Sequence, residues 1–163
     1  MKFITKKLID DLVLKSGESH RRRMNINFHE NHSELVQRMI VATKIDTYFR
    51  PHKHINKSEF ALVIRGYYDL LLFDDCGNVM QRATVGMRCE NIGFEIEPGV
   101  WHTWLPREED SVFFEVKQGP YVPETAIEFA AWSPSEGTGE TVDFLKKLKS
   151  VKVGENMAQY ISV

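Results

Sequence analysis

Near the start of the chain, apolar residues recur with the spacing of an amphipathic α-helix. Positions three and four apart meet on one side of a helix, and within residues 5–15 these positions are Leu8, Ile9, Leu12 and Val13. Thr5 is a suitable N-terminal cap, and Gly17 lies just past the last apolar position. The pattern predicts a short helix over about residues 5–15.

The period changes to two from residue 24 onward, as in half-buried β-strands. The apolar residues Met24, Ile26 and Phe28 alternate with the polar residues Asn25, Asn27 and His29. Further strand-like runs occupy residues 36–44, 47–52, 58–65, 67–73, 79–85, 93–97, 102–105 and 111–117. The segments 74–78 and 98–99 have the glycine, asparagine and proline content of tight turns. Many short strands joined by such turns predict an all-β barrel or sandwich.

Beyond residue 119 the strand pattern gives way to prolines and a Ser/Gly-rich stretch, followed by a helical segment at 141–148. We therefore expect a barrel over about residues 24–118 and a C-terminal extension over 119–163 that wraps it. With 163 residues, 42% of them apolar, the chain has the size and composition of a single domain with its own core.

Composition excludes several classes of partner. Charged residues make up 27% of the chain, yet the net charge is only -2, so no overall field attracts nucleic acid or an anionic membrane. No apolar run reaches the roughly 18 residues of a membrane span, and acidic residues interrupt the first apolar stretch. We expect a cytoplasmic protein with a small-molecule partner, bound neither to nucleic acid nor to a membrane.

The segment 51–59 contains the strongest candidate for chemistry. His52 and His54 are two positions apart, so on a strand both imidazoles point to the same face. Glu59 follows a turn, which lets a neighbouring strand bring its carboxylate to the same point. His102 comes just after the 98–99 turn, at the head of another strand, and completes a set of four potential metal ligands.

These residues resemble the two sequence motifs of the cupin superfamily. His52, His54, Glu59 and Gly66 stand at the spacing of the first motif, and Gly99 with His102 resembles the second. Departures from the family pattern are Asp46 in place of a glycine, a proline shifted to position 98, and Pro106 in place of an asparagine. The resemblance implies a cupin fold, a double-stranded β-helix or jelly-roll barrel, with one divalent metal ion. A cupin that keeps these residues but binds its ligand without metal is the alternative.

A closer resemblance is to the WbuC-type cupin-fold metalloproteins of bacterial surface-polysaccharide gene clusters. It covers about residues 8–137, and the matching segments lie at 21–29, 36–38, 71–74, 114–121 and 128–132. It implies a role near O-antigen or capsule (lipopolysaccharide or capsular polysaccharide) biosynthesis and a sugar-related ligand. It implies no particular reaction.

Three imidazoles and a carboxylate suit Fe, Zn, Mn, Ni or Cu, and they leave coordination positions open for a ligand. We expect a metal-binding cupin that acts on or binds a small carbohydrate or sugar nucleotide, and the first hypothesis for a reaction is metal-dependent isomerisation or epimerisation. The alternatives are an Fe(II)-dependent dioxygenase and a non-catalytic binding or sensor module. Metal-free sugar epimerases are a poorer match, because they use a His and a Tyr instead of a full ligand set.

Five other residues are candidates for contact with this ligand. Arg21 and Arg23 could hold a phosphate bidentately, although a basic run is more often a solvated face. Asn27 and His29 share one side of the first strand and could line the mouth of the barrel or face water. Trp104, two residues after His102, could offer a flat surface to a sugar ring or belong to the core. We also expect a homodimer, because two copies that pair through their strand edges would cover edges that are otherwise exposed.

Overall fold

Two five-stranded antiparallel sheets make up most of the protein, seen in a computed structural model that describes residues 1–160. The last three residues of the predicted 119–163 extension therefore lie outside the described residues. The strands are β1 (Arg23–Asn27), β2 (Val36–Thr43), β3 (His52–Lys53), β4 (Glu59–Arg65), β5 (Tyr67–Phe73), β6 (Val79–Gly86), β7 (Gly93–Ile96), β8 (Trp101–Pro106), β9 (Ser111–Gln118) and β10 (Glu128–Phe129). One sheet has the order β1-β2-β9-β4-β7 and the other β10-β3-β8-β5-β6. The all-β expectation is confirmed.

Helical structure lies outside the two sheets. It comprises α1 (Lys6–Glu18), α2 (Pro123–Ala126), α3 (Thr141–Ser150) and a 3-10 turn at Ala158–Tyr160. Thr5 caps α1 by accepting a hydrogen bond from the backbone N–H of Leu8 at 3.1 Å. The apolar face of α1 packs on the outer face of the first sheet through Leu12 and Val13. Within residues 1–160, no helix is long and apolar enough to cross a membrane.

The predicted strand at 47–52 is wrong for most of its length, because strand structure begins only at His52. Side chains take the backbone groups that a neighbouring strand would otherwise bond. The Arg23 guanidinium donates to the Tyr48 carbonyl at 2.7 Å, and the Thr103 hydroxyl donates to the Phe49 carbonyl at 2.6 Å. Pro51 has no N–H to offer a ladder. The segment is buried and ordered without being a strand.

Strand β10 has no counterpart in the sequence-based prediction. Its two residues pair with β3, with Glu128 opposite Lys53 and Phe129 opposite His52. A two-residue strand is too short to show an alternation of polar and apolar positions, and it forms only because the C-terminal extension crosses the barrel there. That crossing places the extension beside His52.

Arg82 joins α3 to the second sheet. Its guanidinium donates to the carbonyls of Leu148, Lys149 and Val151, at the C-terminal end of α3, and to the carboxylate of Asp69 at 2.5 Å. These bonds satisfy carbonyls that a helix leaves unpaired at its end, and they neutralise a carboxylate that is only 6% exposed.

We expect an Arg82→Met variant to lose about 2–3 kcal/mol of unfolding free energy, because buried Asp69 loses its main cation and α3 loses its cap. Thermal denaturation followed by circular dichroism measures this loss. Arg88→Met is the matched control, since Arg88 forms an exposed ion pair with Glu108 whose removal changes stability little. Equal losses in the two variants would contradict the assigned role of Arg82.

Candidate metal centre

Four side chains converge where the two sheets face each other. The potential ligand atoms of His52, His54, Glu59 and His102 all lie within 4.8 Å of one another. His52 on β3 is the direct cross-strand neighbour of His102 on β8, and their ring centroids are 4.3 Å apart. Glu59 opens β4 in the opposite sheet. The cluster therefore draws on both sheets, and all four residues predicted from the sequence lie in it.

Each histidine in the cluster is oriented by a backbone carbonyl. The Nδ1 atoms of His52, His54 and His102 lie 2.8, 2.6 and 2.9 Å from the carbonyl oxygens of Arg50, Ala126 and Val100, respectively. A carbonyl oxygen only accepts hydrogen bonds, so each Nδ1 carries the hydrogen and a neutral ring keeps its lone pair on Nε2. Hydrogen bonds of this kind hold metal-binding imidazoles in place.

The Nε2 atoms face the centre of the cluster. Nε2 of His102 is buried and has no hydrogen-bond partner within residues 1–160, which is costly for a polar atom left unpaired. Burial lowers the pKa of His102 and, with the nearby His102 ring, holds the pKa of His52 well below its usual range. Both rings are therefore neutral near pH 7 and can donate lone pairs.

The contact between His54 and Glu59 favours a cation. Nε2 of His54 lies 2.7 Å from Oε2 of Glu59, although Nδ1 of the same ring already holds a hydrogen. Two lone pairs at this distance repel unless a proton or a metal ion lies between them. The three imidazoles and the carboxylate thus form a cluster that could hold a divalent transition metal, and their donor types fit one.

Two residues that sequence reasoning left unassigned also belong to the site. Lys117 on β9 is the direct cross-strand neighbour of Glu59; its Nζ lies 3.7 Å from Oε2 of Glu59 and forms an ion pair with Glu115. Burial alone would lower the pKa of Lys117, but the two carboxylates raise it. Burial and the Glu59 charge raise the pKa of Glu115. Glu115 and Lys117 are two positions apart on β9, so the sequence indicates that they share a face but does not indicate whether that face points inward.

A cavity of about 370 Å³ adjoins the cluster, and Arg21, Arg23 and Trp104 line it. The two arginines are already bound to a carboxylate, since Arg23 donates to Glu136 at 2.6 Å and Arg21 donates to it at 2.8 Å. Trp104 is 2% exposed, and its ring centroid lies 4.2 Å from that of Phe113. It belongs to the core, and its side chain also lines the cavity.

The other two candidates, Asn27 and His29, line a second cavity of about 250 Å³, which also touches His54 and Lys117. His29 is buried, and its Nδ1 accepts a hydrogen bond from the Arg38 backbone N–H at 3.0 Å. Asn27 accepts from the Asn25 side chain at 2.8 Å. The structure thus brings all five candidates to two cavities beside the cluster.

Comparisons with solved structures show which fold this is. A conserved protein with a double-stranded β-helix domain from Klebsiella pneumoniae has a TM-score of 0.55 and 14% identity, over 80% of this chain and 97% of that one. The capsular polysaccharide assembling protein CapF from Staphylococcus aureus has a TM-score of 0.54 and 18% identity, over 64% of this chain and 28% of that one. Oxalate decarboxylase from Bacillus subtilis has a TM-score of 0.52 and 17% identity, over 83% of this chain and 36% of that one.

These similarities show a cupin, or double-stranded β-helix, fold, as the sequence motifs predicted. The chain spans about a third of the length of CapF and of oxalate decarboxylase. A family model described as a domain of unknown function (DUF6016) matches residues 4–85. A search of curated proteins found no match.

Proposed function

This chain belongs to the family described as a domain of unknown function (DUF6016), and we propose that it is a metal-binding cupin whose ligands are His52, His54, Glu59 and His102. The observation that carries this proposal is the convergence of four potential ligand atoms within 4.8 Å of one another, among them the buried Nε2 of His102, which has no hydrogen-bond partner within residues 1–160. A divalent cation coordinated by these four atoms would satisfy all of them at once.

We further propose that the ligand is a small carbohydrate or sugar nucleotide and that the protein serves bacterial surface-polysaccharide biosynthesis. The cavity beside the cluster, about 370 Å³, is within the range of small-molecule sites. The resemblance to WbuC-type cupins supports the same role, and CapF, which shares the fold, is described as a capsular polysaccharide assembling protein. The homodimer and the cytoplasmic location stay predictions.

The residues around the cluster would orient such a ligand for isomerisation or epimerisation. A metal ion, when bound, supplies Lewis acidity toward a carbonyl or hydroxyl oxygen. Lys117, 3.7 Å from Glu59, can donate a hydrogen bond to an oxygen placed there. Phe113 and Trp104 line the same cavity and limit the access of water from the core side.

Elemental mass spectrometry of untagged protein tests the metal centre. We expect about one equivalent of a transition metal in the wild type and loss of that metal in His102→Ala, because a buried ligand atom is removed. His20→Ala is the control, since His20 is an exposed histidine outside the cluster. A wild type that cannot be loaded with Fe, Zn, Mn, Ni or Cu would contradict the proposal. Bound iron with oxygen uptake would favour the dioxygenase over the isomerase.

A further inference from the structure

The two cavities beside the cluster are neighbours, and together they are called the cleft. Asn25, Met39, Lys117 and Ile127 line both of them. A ligand in the second cavity can therefore contact Lys117, which also lines the cavity beside the metal centre. Lys117 lies where the two spaces meet.

The lining of this cleft carries more positive than negative charge, although the chain as a whole has a net charge of -2. Its cations are Arg21, Arg23, Arg50, Lys57 and Lys117, and its carboxylates are Glu59, Glu115 and Glu136. Within the described part of the chain, no carboxylate lines the second cavity. A divalent ion at the cluster adds two further positive charges. A cleft whose lining has a net positive charge attracts and concentrates anionic ligands.

The second cavity offers groups that suit a ring bearing hydroxyls. The amide of Asn25 donates to Oδ1 of Asn27 at 2.8 Å, and this bond fixes both side chains while leaving the Asn25 oxygen and the Asn27 amide hydrogens free to bond a ligand. Opposite them, the rings of His32 and Tyr121 pack edge to face, 4.9 Å apart. Side-chain amides can form hydrogen bonds with the hydroxyls of a sugar, and aromatic side chains can pack against its ring.

We infer that the ligand is an acidic sugar, whose ring occupies the second cavity and whose carboxylate or phosphate binds Lys117 beside the metal centre. This inference rests on the proposed function and names the ligand class of the same site. An ammonium has three N–H donors. Glu115 takes one of them, and Oε2 of Glu59 lies 3.7 Å from Nζ, beyond hydrogen-bond distance, so at least one donor remains for the ligand. Charge-assisted hydrogen bonds of this kind are stronger than neutral ones.

Titration calorimetry on metal-loaded protein tests the inference with four probes: D-glucuronate, D-galacturonate, glucose 1-phosphate and D-glucose. We expect at least one acidic sugar to bind about tenfold or more tightly than glucose at equal ionic strength. Tighter binding of the uronates would identify a carboxylate as the acidic group that binds Lys117, and tighter binding of glucose 1-phosphate would identify a phosphate. Glucose binding as tightly as every acidic sugar, or no binding by any acidic sugar, would overturn the inference.

Substitutions at Lys117 and Asn27 test where the acidic group and the ring of the sugar bind. Lys117→Met should weaken the acidic sugar about tenfold or more and remove its preference over glucose, whereas Lys117→Arg should restore part of that preference. Asn27→Ala, at an exposed position on an edge strand, should weaken binding without removing the preference. Lys146→Met is the control, since Lys146 lies on the exposed face of α3. Unchanged affinity in both Lys117→Met and Asn27→Ala would contradict the placement.

Metal content measured on the same samples separates the two proposals. If the wild type takes up no metal, the proposed function fails, but the excess of cations over carboxylates in the cleft remains and acidic sugars should still bind preferentially. If metal binds and acidic sugars do not, the ligand class is wrong and the metal centre stands.

Discussion

A Glu59→Gln variant is expected to lose the stabilisation that metal ions confer on the wild type. Glutamine has the shape of glutamate but no charge, so the cluster loses its only anionic ligand. We expect metal affinity to fall by more than about 100-fold, beyond the 10–100-fold that changes around a ligand usually cost. At a metal concentration of about 100 times the dissociation constant, the wild type gains about 2.7 kcal/mol, or roughly 5–10 °C in melting temperature.

The metal-free variant separates this effect from a general loss of stability. In Glu59→Gln, Lys117 keeps its ion pair with Glu115, and the repulsion between Glu59 and Glu115 disappears. We therefore expect the melting temperature of the metal-free protein to change little compared with the loss of the metal-dependent rise. Glu128→Gln is the matched control, because Glu128 lies on β10 outside the cluster and pairs with Lys53 of β3. A full metal-dependent rise in Glu59→Gln would show that Glu59 is not a ligand.

Gly66→Ala is expected to destabilise the barrel strongly. Gly66 links β4 to β5 with φ of 70°, and an added Cβ would overlap Oγ of Ser111 and lie 2.9 Å from its Cβ. Ser111 is fully buried, and its hydroxyl donates to the Glu108 carbonyl at 2.9 Å, so it cannot turn away without losing that bond. Left-handed strain and overpacking together should cost about 2–4 kcal/mol, or roughly 5–15 °C in melting temperature.

Gly154→Ala isolates the backbone part of this cost. Gly154 has φ of 89°, but a Cβ there would meet nothing within 4 Å. It should lose only about 1 kcal/mol, from the left-handed conformation alone. Thermal or urea denaturation of both variants measures the difference. Equal losses at the two positions would mean that contact with Ser111 does not restrict residue 66.

Local patterns determined those parts of the fold and site that depend on neighbouring residues. The 3.6-residue period placed α1, and alternation placed most strands, because each periodicity follows from the geometry of one element. His52 and His54 were predictable as a pair since side chains two apart on an extended chain share a face. Glu59 and His102 were predictable from the spacing of the two cupin motifs.

The tertiary structure decided the surroundings of these residues, because contacts between distant segments depend on register and on how the sheets close. Lys117 meets Glu59 only because β9 pairs with β4 in one particular register. Glu136 reaches Arg23 across 113 residues of sequence, and the Ala126 carbonyl reaches His54 across 72. The sequence by itself thus determined which residues could bind a metal. The charge and shape of the cleft around them depend on the path of the C-terminal extension and on which face of β9 points into the barrel. No local periodicity encodes either of these.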